Sequence, residues 1–430
     1  MIFRLAYEFL SGGSLLARAL LLAALTLALK IPLDLVGTVV ADRQGYQEEA
    51  IKSVQTWWGK AQTFVGPRIL VPHKERPVSR QAILLPQKLT LNGEIMPEQR
   101  RRGLFAVPVY RASLDVVAEF DLRELRALSA GDNELDWSAA RLLVGVSEDR
   151  SLSAETVDVD GTPVEWTADT GSWLSSLQAS LGSGLAARDS VTVRFRITFA
   201  GSGRLSLVPL GKRTEATLVS PWPSPSFVGP YLPASQTVGR DGFRATWMTS
   251  SLGRGYPQLW GRLPADGPAP SAVLESAFGV TLVTPIDAYR ETDRAIKYGV
   301  LFIGLTLAAC LLFELATGTR PHPLQYGLIG LSLCVFYLLL LSFSEQIGFG
   351  SAYLVSAAAV AGQAAVYTGA VQRRFAPGLA FGGFLAVLYA ALYALLQLED
   401  VALLAGSLLL FAMLSLAMWF TRNLHRPQTA

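Results

Sequence analysis

Cysteine, histidine and charge are scarce in this sequence of 430 residues, and each scarcity closes off a class of function. The two cysteines, Cys310 and Cys334, both fall inside long apolar runs, which leaves neither a disulfide framework nor a CxxC metal pattern. Small apolar filler is the role such positions imply. The three histidines, His73, His322 and His425, lie in separate parts of the sequence and no HExxH spacing occurs, so a zinc hydrolase is not indicated. A GxSxG elbow and a Walker loop are also missing, and Leu181-Gly-Ser-Gly184 lacks the Lys-Ser/Thr that would follow in a phosphate cradle. Charged residues make up 17%, with a formal net charge of +3 too dispersed to build the basic face of a nucleic-acid binder.

Apolar residues are abundant instead, at 51% with a mean hydropathy of +0.34, which places part of the chain in lipid. Five runs of about 20 residues, long enough at 1.5 Å per residue to cross a hydrocarbon core of about 30 Å, occupy the C-terminal part. They cover Ile296 to Ala316, Leu324 to Phe343, Ser351 to Val371, Gly378 to Leu398 and Val401 to Phe420, and their short connections imply antiparallel neighbours. A sixth run begins at Leu15, is interrupted by Lys30-Ile-Pro-Leu-Asp34 and resumes from Leu35 to Val40. Arg4, Arg18 and the Val39-Val40-Ala41 tripeptide also suit a cleavable signal peptide, but Leu15 to Val40 exceeds the roughly 7–15 residues of a signal core, which favours an uncleaved anchor.

If the C-terminal helices alternate, Arg320, Arg373, Arg374, Arg422 and Arg426 share one side of the membrane, and the opposite short loops contain Gln346, Glu399 and Asp400 but no Lys or Arg. Basic loops stay cytoplasmic, which puts both termini inside and the long segment between Val40 and Arg294 outside. That segment has strand-length runs of period two. In Val191 to Phe199 the residues Val191, Val193, Phe195, Ile197 and Phe199 point one way; Arg204 to Val208 and Phe105 to Tyr110 are further strand candidates. Asn92-Gly93, Gly201-Ser202-Gly203 and Asp160-Gly161 offer turn chemistry. Gln44 to Trp58, with apolar residues at helical spacing, predicts an amphipathic helix following the anchor.

The expected architecture is a polytopic α-helical membrane protein of about six transmembrane helices with a large β-rich periplasmic domain. Residues 1–14 form a cytoplasmic tail, 15–40 an anchor, 41–294 the β-rich domain, 295–421 a five-helix bundle and 422–430 a second cytoplasmic tail. Carboxylates in or at the edge of spanning helices are costly unless paired, which singles out Glu314, Glu345, Glu399 and Asp400. Glu345, Glu399 and Asp400 belong at one exoplasmic depth, either as an acidic mouth for a cation or proton or as interfacial groups paired with Arg294 and Lys297. Glu314 lies near Arg320 and His322, where a salt bridge or helix–loop hydrogen bond accounts for it, with a transport role as the alternative. Gln325, Gln363 and Gln397 suit hydrogen bonds between helices. In the Pro-rich run from Trp222 to Pro233, the aromatics Trp222, Phe227 and Tyr231 are either anchors for a partner or the packed side of a rigid loop.

In the membrane half, Lys297-Tyr-Gly-Val-Leu-Phe-Ile303, Leu312-Phe-Glu314, His322-Pro-Leu-Gln-Tyr326, Phe336-Tyr-Leu-Leu-Leu-Leu-Ser342 and Gln397-Leu-Glu-Asp400 follow one another in a distinctive order. In the exported half, Trp58-Gly59, Arg102-Gly103, Val107-Pro-Val-Tyr110, Pro209-Leu-Gly211 and Trp222-Pro-Ser-Pro-Ser-Phe227 do the same. Together these segments resemble the CreD family of bacterial cell-envelope integrity proteins over nearly the full chain. Asn423-Leu-His-Arg426 departs from the aromatic-rich ending usual in that family. The resemblance implies an N-terminal anchor, a periplasmic domain and a helical bundle, with a role in envelope integrity downstream of a two-component regulatory system; it supplies no biochemical activity. The expectation is a non-enzymatic inner-membrane protein, free of cofactor and metal, in contact with membrane lipid and with an envelope protein or the cell wall. The alternative is an ion-coupled transporter or channel using Glu345, Glu399 and Asp400, although neither an internal repeat nor a matched pair of broken helices is visible.

Overall fold

The computed structural model describes residues 15–73, 81–128, 135–149, 151–169, 176–260, 268–283, 288–317 and 322–398, with 404, 406–408, 411, 415 and 418 beyond them. The chain forms two compact units, one of residues 48–285 and one combining 1–47 with 286–430.

The helices are α1 (Leu15–Trp58), the short α2 (Arg123–Leu128) and α3 (Pro270–Glu275), then α4 (Ala288–Lys297), α5 (Gly299–Thr317), α6 (Pro323–Ile347), α7 (Phe349–Gln372) and α8 (Phe375–Gln397). The anchor and the amphipathic helix expected after it form one continuous element. One 44-residue helix carries both the apolar run and the amphipathic segment, with Pro32 inside it. Lys30 and Asp34, which read as an interruption, are one helical turn apart and pair at 2.5 Å on an exposed face.

Among the described residues, α1, α6, α7 and α8 are long and apolar enough to cross a membrane, and α4 with the first part of α5 adds a fifth if that pair, bent by 48°, is one span. The run from Val401 to Phe420 lies largely outside the described residues. The bundle core interleaves Leu29 and Leu33 of α1 with Phe302, Phe336, Tyr337, Tyr353 and Tyr389. The Phe336 and Tyr389 rings are 4.6 Å apart, and the Tyr353 hydroxyl donates to the Tyr389 carbonyl at 2.7 Å. Cys310 and Cys334 are buried in this unit.

The principal strands of the other unit are β1 (Gln62–Pro72), β2 (Lys88–Arg102), β3 (Phe105–Asp121), β4 (Arg141–Val146), β5 (Ser190–Ser202), β6 (Arg204–Val208), β7 (Arg213–Ser220), β8 (Pro225–Val228), β9 (Ser235–Gly239), β10 (Gly242–Ser250) and β11 (Phe278–Leu282). With shorter strands they make two nine-stranded sheets, in which β8-β11-β6-β1-β4 and β9-β10-β7-β2-β3-β5 are the long paths. Both sheets are mixed, because β1 runs parallel to β6 and β2 runs parallel to β7. Apolar side chains from both sheets meet in one core around Phe64, Leu91, Leu114, Phe199, Trp247 and Phe278.

The period-two reading of β5 holds: Val191, Val193, Phe195, Ile197 and Phe199 are all buried. The expected strands at Arg204 to Val208 and Phe105 to Tyr110 are also present, the latter extended to Asp121. The turn signals fare unevenly. Asp160 and Gly161, at φ of 50° and 87°, close a short hairpin as expected. Gly201-Ser202-Gly203 turns the chain from one sheet into the other, with Gly203 at φ of 69°. Asn92-Gly93 is no turn: it sits mid-strand in β2, opposite Asp115 and Leu114. A Cβ on Gly93 would stand 2.5 Å from Leu218 and 2.6 Å from Leu114, so this glycine admits two leucines rather than a reversal.

Two buried polar groups tie these sheets together. Tyr110 donates its hydroxyl to the Arg204 carbonyl at 2.6 Å beside the sheet-to-sheet corner. Arg254, buried and stacked over Tyr256, donates to the carbonyls of Pro209 at 2.9 Å and Gly211 at 3.2 Å, and also to Leu210 and Gln258. Burial pulls its guanidinium below the usual range, and the neighbouring Tyr256 partly opposes that.

Candidate functional site

Of the four carboxylates marked by sequence, two fall on described residues. Glu345 is near the end of α6, with its side chain 10% exposed. The Tyr289 hydroxyl of α4 donates to its Oε1 at 2.9 Å, and Arg43 of α1 approaches the same oxygen at 3.6 Å. Three helices thus converge on one carboxylate whose charge is countered locally. Of the expected basic partners, Arg294 donates to the Leu396 carbonyl at 2.6 Å and Lys297 pairs with Asp293 at 2.7 Å. Glu399 and Asp400 lie outside the described residues.

Glu314, on α5, is 5% exposed. Arg18 of α1 forms an ion pair with its Oε1, and the Tyr326 hydroxyl of α6 donates to its Oε2. Arg320 lies outside the described residues, while His322 caps α6, its Nδ1 accepting from the Leu324 amide at 3.2 Å. Gln325 completes that capping box by accepting from the His322 amide at 3.0 Å, so it secures a helix start. Gln363 and Gln397 are exposed, and Gln363 lines a cavity together with Leu328, Ser332 and Val335 of α6. Beside Glu314 is a cavity of about 50 Å³, room for a few waters, lined by Cys310, Gln325, Tyr326, Tyr367 and Thr368 among others.

Sequence reasoning marked both glutamates, and it did not name Arg18, Tyr326, Tyr289 or Arg43 beside them. Arg18 lies 296 residues from Glu314, and no spacing rule connects them. The only prior signal was the cost of leaving a carboxylate unpaired at membrane depth.

The three aromatics of the Pro-rich run are all half-buried against the β core. Trp222 donates its indole N–H to the Val283 carbonyl at 3.0 Å. Phe227, in the edge strand β8, meets Phe243 and Trp247 edge-on at 5.9 and 5.7 Å. Tyr231 donates to the Gly253 carbonyl at 3.0 Å and packs 6.1 Å from Phe278, while Trp247 donates to the Tyr231 carbonyl at 3.2 Å. Rings held on one face in this way set the path of the loop. Leu232 and Leu252, beside them in the chain or in space, remain 80% and 95% exposed. Among the described residues, no group of three or more His, Cys, Asp or Glu is placed to hold a metal ion.

Several apolar helices joined in sequence to a large two-sheet domain define a multi-pass membrane protein with a large β-rich domain. The family model described as inner membrane protein CreD matches residues 14–426, and the chain belongs to that family. It is 32% identical over 415 residues to the inner membrane protein CreD of Escherichia coli (strain K12), covering 93% of this chain and 90% of that protein. Among solved structures, similarity reaches an M1 zinc metallopeptidase of Deinococcus radiodurans, at 13% identity and a TM-score of 0.20, covering 72% of this chain and 87% of that one. Native yeast LTA4 hydrolase follows at 10% identity and a TM-score of 0.22, covering 74% and 59%. Likeness at that level carries no argument about fold or activity.

Proposed function

We propose that this chain is a non-enzymatic protein of the bacterial cell envelope, whose β-rich domain lies in the periplasm and binds an envelope protein or the cell wall. Six spans hold it in the inner membrane, with both termini in the cytoplasm. Membership of the CreD family supports the membrane assignment, and Arg373 and Arg374 between α7 and α8 support the orientation.

The observation that carries the binding role is the surface to which the Trp222–Pro233 run leads. Strand β9 follows it at the edge of its sheet, paired among the described residues only with β10, and all five of its residues are exposed. Leu232, at 80% exposure, immediately precedes this edge. An open edge with uncovered leucine is the chemistry by which an extended segment of a partner adds a strand. Trp222, Phe227 and Tyr231 brace the loop and leave part of each ring within reach of that partner.

The test is restoration of envelope-stress resistance in a null strain by variants inserted at normal abundance. Leu232→Asp with Val238→Asp should fail to restore it, whereas Glu345→Gln should succeed. The reverse pattern would move function from the domain surface to the helices.

A further inference from the structure

The hairpin of β2 and β3 ends in a tip unlike the rest of its domain. Its two-residue turn is Gly103-Leu104, with Gly103 at φ of 59°, preceded by Arg100, Arg101 and Arg102 and followed by Phe105. Residues 100–104 are all exposed, Leu104 at 57%, and Phe105 is half-buried. Arg100 and Arg111 share Glu98 as a partner, at 2.8 and 3.5 Å, and both stack over the Trp58 ring, at 4.3 and 5.4 Å. Arg101 and Arg102 have no ion-pair partner among the described residues. The tip therefore keeps an excess of positive charge around an uncovered leucine.

The root of this hairpin is fixed to the end of α1. Ile51, Val54 and Trp58 pack with Val107 and Val109, and the Trp58 indole donates to the Tyr110 carbonyl at 3.3 Å. Trp57, next to it, is 84% exposed. Ile51, Val54 and Trp58 belong to α1, the helix that also carries the apolar run from Leu15 to Val40.

A pair of free guanidinium forks and an adjacent Leu-Phe step are complementary to two layers of a bilayer surface. Guanidinium groups match phosphate oxygens bidentately, and apolar side chains settle at the boundary between headgroups and acyl chains. We infer that the hairpin tip rests on the membrane surface, with Arg101 and Arg102 on the phosphates of anionic lipids and Leu104 and Phe105 in the interfacial layer. An acidic protein surface would satisfy the arginines but would give the tip no lipid contact.

The test uses the full chain on a Cys310→Ala, Cys334→Ala background, reconstituted in phosphatidylcholine vesicles with or without phosphatidylglycerol. A fluorophore on Leu104→Cys is read against quencher lipids spin-labelled near the headgroup, with Leu252→Cys as the reference position. Quenching at 104 should exceed that at 252, deepen with phosphatidylglycerol and weaken in high salt. Arg101→Glu with Arg102→Glu should reduce the contact equilibrium by at least about fivefold per arginine. Equal quenching at 104 and 252 overturns the lipid contact, as an acidic protein partner would produce. Quenching indifferent to phosphatidylglycerol, to salt and to charge reversal overturns the role of the phosphates.

Discussion

At Glu314 a carboxylate 5% exposed is held by one arginine and one tyrosine, and the energetics of such a site are asymmetric. Removing one charge strands the other in a poorly solvating place, at a cost of about 3 kcal/mol, whereas removing both forfeits only the surplus of attraction over desolvation. Arg18→Leu and Glu314→Leu should each lower the thermal midpoint in detergent, and the double variant should recover much of the loss. Additive losses would mean that the two residues do not act as a pair. Tyr110 supplies a pH-dependent counterpart in the β domain. Burial raises its phenol pKa above the usual value of about 10, so above that pH the unfolded chain releases the proton before the folded one does. The stability contributed by the neutral phenol is complete below pH 10 and declines as pH rises further. Tyr110→Phe should cost about 1 kcal/mol at neutral pH through the lost bond to Arg204, and should flatten the alkaline decline seen in a melting series.

Elements were legible where a single local rule governed them. The alternation in β5 is period two because one face meets the core, and sequence shows that directly. Gly93 misled because asparagine–glycine is also what a crowded strand can tolerate where Leu114 and Leu218 close over the backbone. Gly93→Ala should therefore destabilise the domain by about 1–3 kcal/mol through overpacking, measured as a lowered midpoint by circular dichroism. Gly45, in α1, predicts the opposite sign, since a Cβ there meets nothing within 4 Å. Gly45→Ala should leave the protein as stable or more so, by up to about 1 kcal/mol. The continuity of α1 was hidden because Lys30-Ile-Pro-Leu-Asp34 has the composition of a break, while the helix absorbs Pro32 and pairs the two charges along its own face. For the candidate sites, which glutamates were anomalous was legible from burial cost; who answers them was not, because Arg18 and Arg43 come from a helix far away in the chain.

For the molecule as a whole, the proposed orientation makes a direct forecast. In cells whose outer membrane has been made permeable, an impermeant thiol reagent should label Leu252→Cys with the inner membrane intact, and should label Arg374→Cys only after that membrane is breached. Labelling of both positions alike would refute the topology. The pair between Arg18 and Glu314 has a further consequence, which concerns time. The two residues are 296 positions apart, and a ribosome adding roughly 5–20 residues per second separates their synthesis by about 15–60 s. Throughout that interval the first helix has its arginine and not its carboxylate. The nascent chain must shelter that cation by snorkelling, by water or by a neighbouring protein until the later helix is made, so newborn copies stalled before residue 314 should be the ones most open to quality-control proteolysis.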